Sequence, residues 1–210
     1  MRTAALLRPA VRRAAIAAAV ARGAGLLSAA APADLAIDPA GSRVAFVLRT
    51  TWHEVHGTAP DVRGTVTSQS GDLTADGRVL LEVVTATMET GNQRRDRAMR
   101  RDHLHVDRFP IIRFSSAAPP SPGRIERDAA GSLRRAELSL EGDLEIHGVV
   151  RRIRLPVTLE AEGNGWMASG SATVRLSEHG IPDPSILLNK VRDEVQVSFR
   201  LRLTSPAAQR

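Results

Sequence analysis

Cysteine and tyrosine are absent from this chain of 210 residues, and aromatic material is limited to four phenylalanines and two tryptophans. Without cysteine, disulfides, thiolate metal sites and cysteine nucleophiles are excluded, while either side of a membrane stays open to the protein. Scarce aromatics mean that a core must be built from Leu, Val, Ile and Ala. They also remove the rings on which a single-stranded nucleic acid would stack. No apolar run beyond residue 33 approaches the roughly 20 residues needed to cross a bilayer as a helix. There is no G-x-S-x-G, and no serine with an evident base and orienting acid, so no catalytic residue is assigned and the reading is non-enzymatic. "GAGLLS" imitates a glycine-rich phosphate loop, but no strand precedes it.

What is abundant is positive charge, and its location matters. The formal net charge is +6, yet Arg2, Arg8, Arg12, Arg13 and Arg22 lie in the first 33 residues, which hold no acid. Removing these five of 29 basic residues leaves 24 against 23 acids, so the body is nearly neutral. That argues against nucleic acid as a partner, because affinity for a polyanion scales with the phosphates neutralised. The first 33 residues join an Arg-bearing start to "AAIAAAVA" and to small residues suited to cleavage near Ala29 to Ala33. They read as an export signal, placing the mature protein in the periplasm or outside the cell. The alternative is a disordered N-terminal extension on a cytoplasmic protein.

The body alternates with period two. Leu138, Leu140, Leu144 and Ile146 face one way, Glu137, Ser139, Glu141, Asp143 and Glu145 the other. Ile153, Leu155, Val157 and Leu159 repeat the pattern, as do Val195, Val197, Phe199, Leu201 and Leu203. Weaker strand patterns lie at 42–50, 62–70, 78–87, 110–116 and 165–177. Successive side chains of a strand point to opposite faces, so each segment is a half-buried strand with one wet face. This gives an all-β fold of about eight antiparallel strands closed into a barrel, which removes exposed edges. The domain runs over 34–204, followed by a disordered tail at 205–210. Aliphatic walls can leave a tunnel where bulky rings would fill it, and they can equally pack solid.

One interval is helical, near residues 92–103, and carries Arg94, Arg95, Arg97, Arg100 and Arg101. Thr90 and Gln93 have the spacing of a capping box, and Asp96 precedes Arg100 by four, the favourable order for a helical ion pair. With few apolar residues to anchor it, this is first a wet helix lying over one side or end of the barrel. Second, Arg94, Arg97 and Arg101 are candidates to contact an anionic head group or a membrane surface. His53/His56 and His103/His105 have chelating spacings, but loop histidines are the plainer reading, with His147 pinning a hairpin; no metal site is assigned.

Four segments resemble the YceI family of lipid-binding, lipocalin-like barrel proteins. They are "IDPAGSRVAFVL", "METGNQRRDRAMRRDHLHVDRFPIIRFSS", "LEGDLEIHGVVRRIRLPV" and "VRDEVQVSFRL", in order over roughly residues 35 to 203. Family members often show an acid and two aromatics where this chain has "DHLHVD", and "HGIPDPSILLNKVRDEV" resembles a side branch. The resemblance implies a lipocalin-like barrel holding an isoprenoid-type or other long-chain lipid, with no cofactor besides that ligand, and export to the periplasm. By inward phase the expected ligand contacts are Phe46, Leu48, Val83, Phe114, Leu140, Leu144, Leu155, Val174, Val197 and Phe199. A filled barrel serving as an accessory or stress-related interaction domain is the first alternative, and a metal-dependent enzyme, which would need His53, His56, His103 or His105 to converge with an acid, the second.

Overall fold

The computed structural model describes residues 32–116, 118–185 and 188–206. The leader read at residues 1–33 thus falls almost wholly outside the described residues, and so does most of the tail.

Ten strand segments form one antiparallel sheet that closes into an eight-stranded barrel. In chain order they are β1 (Ala33–Thr50), β2 (Glu54–Ala59), β3 (Val62–Ser68), β4 (Arg78–Val84), β5 (Ile111–Ser116), β6 (Ser121–Arg127), β7 (Leu133–Ile146), β8 (Val149–Glu162), β9 (Gly165–Arg175) and β10 (Val191–Thr204). Neighbours run β1-β3-β4-β5-β7-β8-β9-β10, and β10 returns to β1. Two staves are shared. β3 pairs with the first part of β1 and β2 with the second, while β6 and β5 divide β7 in the same way. Pro60 and the Pro119–Pro120 pair interrupt these two staves, as expected of a residue that cannot donate to the ladder.

β1 starts well before the pattern read at 42–50, and the reason is a change of phase. Leu35 and Ile37 face inward at odd positions, Val44, Phe46 and Leu48 at even ones. Between them Asp38 pairs with Arg202 but Arg43 with Arg200, a register shift that bulges β1 outward. The Ser42 hydroxyl holds the bulge, donating to the Asp38 carbonyl at 2.7 Å and accepting from Arg202 N–H at 3.0 Å. A bulge reverses which residues face the core, so strict alternation is lost.

On the outer face, charges sit directly across strand pairs. Glu141 faces Arg154, Asp143 Arg152, Arg135 Glu160, Glu82 Arg113 and Glu194 Arg175. The corresponding ion pairs span 2.6, 2.8, 2.5, 2.9 and 3.1 Å. Each solvated pair contributes at most about 1 kcal/mol. Their collective role is register, since a slip of one residue would bring these charges to the apolar interior.

The two ends differ. A short helix α1 (Leu73–Asp76) inserts Leu73 into the lower end as a stopper. Its Asp76 carboxylate accepts from the Ser68 and Ser70 hydroxyls and from the backbone N–H of Gln69 and Ser70, bonds that hold it below the ordinary carboxylate range. Over the upper end runs the β4–β5 connection, with α2 (Gln93–Ala98) continued by a π-turn over Met99–His103. The helix cap differs from the spacing argument. Asn92 is the N-cap, its Oδ1 accepting from Arg94 and Arg95 N–H, and Thr90 is bound instead by Asp96. Asp96 is buried and accepts from Thr90 N–H at 2.9 Å and from the Thr90 hydroxyl at 2.5 Å. It is therefore not the partner of Arg100, whose guanidinium donates to the Met88 carbonyl.

Asp96→Ala would leave the half-buried Thr90 N–H and the proton of its hydroxyl without their acceptor, a loss of about 2 kcal/mol for a charge-assisted pair of bonds. Thermal unfolding should show a fall in Tm of several degrees, with Asp96→Asn intermediate.

Candidate functional site

The barrel interior is not closed by its side chains. Three cavities stack from α1 to α2, and adjacent ones share walls. The lower is about 70 Å³ and lies among Ile37, Leu73, Leu140 and Leu201. The middle is about 130 Å³ and shares Leu81, Phe114, Leu155 and Phe199 with the lower. The upper is about 480 Å³ and shares Phe46 and Met88 with the middle.

All ten inward residues named from phase line this interior. Leu140 borders the lower cavity; Phe114, Leu155 and Phe199 border the lower and middle. Val83, Leu144, Val174 and Val197 line the middle, Phe46 the middle and upper, and Leu48 the upper. Phe46, Val83, Phe114, Leu140 and Leu155 are buried, whereas Leu48, Leu144, Val174, Val197 and Phe199 face inward yet stay partly accessible. Inward apolar groups that keep accessible surface belong to a lumen wider than its lining fills.

The width has a cause in sequence. Three phenylalanines of the wall each lie over a glycine. A Cβ at Gly57 would come within 2.2 Å of the Phe46 ring, one at Gly142 within 2.6 Å of Phe114, and one at Gly170 within 2.6 Å of Phe199. Phe46 and Gly57 are register partners, as are Phe199 and Gly170. The ring therefore lies along the wall over the bare backbone of its neighbour, instead of standing across the lumen.

Sequence phase missed part of the lining. Leu81 and Ile112 share the faces of Val83 and Phe114, so their alternation was available as a signal. Met88, Ile181 and Asn189 come from irregular connections, where no periodicity exists.

The upper cavity has a polar rim, with Thr50, His53, Thr90, Asn92, Arg94, Arg95, His103 and Asn189 beside Leu104, Leu176 and Ile181. The arginines divide by role. Arg94 lines the cavity and is exposed, and its guanidinium has no hydrogen bond or ion pair among the described residues. Arg95 also lines it, but donates to the Thr90 hydroxyl at 2.7 Å and the Thr90 carbonyl at 3.0 Å. Arg97 is exposed outside the lining, and Arg101 pairs with its neighbour Asp102 at 2.6 Å. Of the three cations named for a head group, the structure brings only Arg94 to the lumen.

The histidines do not converge as their spacings allowed. His53 lines the cavity while His56 is exposed beside Glu54 at 3.7 Å. His103 lies in the π-turn, and His105 turns away from it to meet His147, Nδ1 to Nε2 at 2.7 Å. Among the described residues no group of three or more His, Asp or Glu is placed to hold a metal. His105 and His147 both have positive φ, 44° and 53°. His147 also packs on Phe109 at 4.3 Å between ring centroids, and the His179 ring reaches the Val149 carbonyl at 3.2 Å. This cluster ties together the π-turn exit, the β7–β8 hairpin and the connection after β9. Burial lowers the His147 pKa below its ordinary value near 6.5; a backbone hydrogen bond with His179 opposes this, and His105 and Arg108 add to the lowering.

The YceI-like domain family matches residues 35–203. A UPF0312 protein of Pseudomonas savastanoi pv. phaseolicola is 33% identical over 180 residues, covering 80% of this chain and 87% of that protein. A UPF0312 protein of Pseudomonas putida is 31% identical with the same coverage. Among solved structures, Burkholderia cenocepacia BcnA superimposes with a TM-score of 0.62 at 21% identity, over 79% of this chain and 98% of BcnA. A polyisoprenoid binding domain from Saccharophagus degradans, implicated in plant cell wall breakdown, gives 0.64 at 14% identity, over 82% and 98%. At these identities the two structures establish the shared fold.

Because the folded His147 pKa is lowered, its contribution to stability is complete above the unfolded value and is lost as pH falls through the window beneath it. Hydrogen exchange from about pH 7.5 to about pH 5 should show the segments around His105, His147 and His179 losing protection relative to the strands. His147→Asn, which tolerates positive φ, should flatten that dependence.

Proposed function

The chain belongs to the YceI-like domain family, and on that premise we propose that it binds one long apolar lipid of isoprenoid or fatty-acyl type in the barrel lumen, carrying or sequestering it without chemical conversion. The observation that carries this reading is the stacked interior whose lower and middle parts are lined by apolar side chains alone, apart from one glycine. A chain of methylenes is the occupant such a wall favours. Each methylene withdrawn from water contributes about 0.8 kcal/mol, so about a dozen suffice for tight binding after ordering costs. The ligand class of the Saccharophagus neighbour, a polyisoprenoid, fits the same lining. A filled barrel serving as an interaction domain has no comparable support, since inward residues such as Leu144 and Val197 keep accessible surface.

The polar end of the ligand lies in the upper cavity, whose rim carries Arg94. That rim is also the natural place of exchange with a membrane. Trp52 and Leu188 are 68% and 79% exposed. Their loops are tied together by hydrogen bonds between Thr51 and the backbone of Lys190. An exposed indole beside an aliphatic side chain, with Lys190 in the same pair of loops and Arg94 on the rim of the same cavity, suits the interface of an anionic bilayer. The export signal read in the leader supports an exchange in the periplasm or outside the cell.

Native mass spectrometry of freshly purified protein, with organic extraction of the bound fraction, tests the central reading. A stoichiometric adduct of defined lipid mass is expected; apo protein alone, from a host rich in isoprenoid and acyl lipids, would refute it. Ala172→Phe, which fills the middle cavity opposite Val197, should retain the fold and lose at least about tenfold in affinity. For the membrane contact, flotation with phosphatidylcholine vesicles containing phosphatidylglycerol should recover the wild type and not the Trp52→Ala/Leu188→Ser variant.

A further inference from the structure

Two buried side-chain polar atoms among the described residues have no hydrogen-bond partner, Nδ1 of His103 and Oδ1 of Asn189. Both side chains line the same upper cavity. They arrive there from distant parts of the chain, one from the π-turn over Met99–His103 and the other from the connection that leads into β10. Their backbones are pinned nearby. Leu104 N–H donates to the Met99 carbonyl at 2.8 Å, and Lys190 N–H to the Thr51 hydroxyl at 3.0 Å. Polar atoms withdrawn from water are almost always paired, and each one left alone works against folding. Two such atoms on one cavity wall mark a place where a partner is supplied from outside the chain.

The chemistry of that partner follows from the atoms. A carbonyl oxygen only accepts, so Oδ1 requires a donor. Nδ1 of an imidazole donates or accepts according to tautomer. An ionised carboxylate or phosphate ester brings lone pairs and no proton, and would set like charge against Oδ1. An alcohol or a primary amide brings a donor and an acceptor together and satisfies either tautomer of His103. Rotation about Cβ–Cγ swings either polar atom toward the cavity. The nearby cations do not alter this: Arg95 is committed to Thr90, and Arg94 stands at the exposed rim.

We infer that His103 and Asn189 are specificity-determining residues for the polar end of the lipid, and that this end is an uncharged group that both donates and accepts, an alcohol or a primary amide. The inference rests on the lumen being the lipid site and adds the head-group class to it.

The test uses the full barrel and displacement of the fluorescent probe N-phenylnaphthylamine from the lumen by four ligands of equal chain length: hexadecanol, hexadecanamide, methyl hexadecanoate and hexadecanoate. The alcohol and the amide are expected to bind roughly tenfold tighter than the ester and the acid anion. His103→Leu and Asn189→Leu should each reduce this preference to about twofold, leave the ester unchanged or tighter, and keep or raise the Tm of the unliganded protein. If His103→Leu does not fold, Asn189→Leu decides alone, since it lies outside the strands. Equal affinity for all four ligands, tightest binding of hexadecanoate, or an alcohol preference that survives both variants would overturn the assignment while leaving the lumen as the lipid site. The last result would mean that ordered water alone meets these two atoms. If none of the four ligands binds, the lumen reading falls and this inference with it.

Discussion

Closure of the sheet between β1 and β10 is the constraint on which the remaining structure depends. β1 is a single long strand that meets β10 on one side and both β3 and β2 on the other. Only when this seam is made do inward residues of opposite walls enclose a space, and only then are both sheet edges removed from solvent. The bulge at Asp38–Arg43 is part of the same device. It lets a strand of this length follow the barrel curvature while keeping Ile37 and Phe46 on the inner face despite their opposite parity.

Enclosure alone would give a packed core, as aliphatic barrels of this size can be filled by their own side chains. What keeps the interior open is the pairing of rare phenylalanines with glycines. Phe46, Phe114 and Phe199 cover bare backbone at Gly57, Gly142 and Gly170, so the largest apolar side chains of the wall lie flat. The low aromatic content, which at first only limited the kinds of core available, thereby becomes a property of the lumen.

The upper end is built on different terms. Hydrogen bonds to charged side chains hold it, with Asp96 on Thr90, Arg95 on Thr90 and Arg100 on Met88. The arginine-rich stretch is thus largely an internal scaffold for an irregular connection, with Arg94 left over for the cavity. The His105–His147 contact adds a titratable joint between three connections at the same end. The lower end is closed by Leu73 and tied by an Asp76 carboxylate that stays ionised. On the proposed reading, lipid enters and leaves at the upper end alone.

The sequence by itself determined the barrel and its inner face. Period-two alternation, clearest in β7, β8 and β10 and weaker in β1, β4, β5 and β9, is a local property written in consecutive residues, and every residue from Phe46 to Phe199 named from its inward phase faces the lumen. The short β2 and β6, the early start of β1 and the glycine seats of the phenylalanines were not legible, because each depends on which strand lies alongside. The upper cavity was legible least. Met88, Ile181, His103 and Asn189 occupy connections without periodicity, and their convergence is a consequence of barrel closure, which brings residues about a hundred positions apart to one wall. The capping of α2 by Asn92 and the turning of Asp96 toward Thr90 were likewise decided in three dimensions, where a half-buried N–H and hydroxyl outcompeted a solvated ion pair on the helix surface.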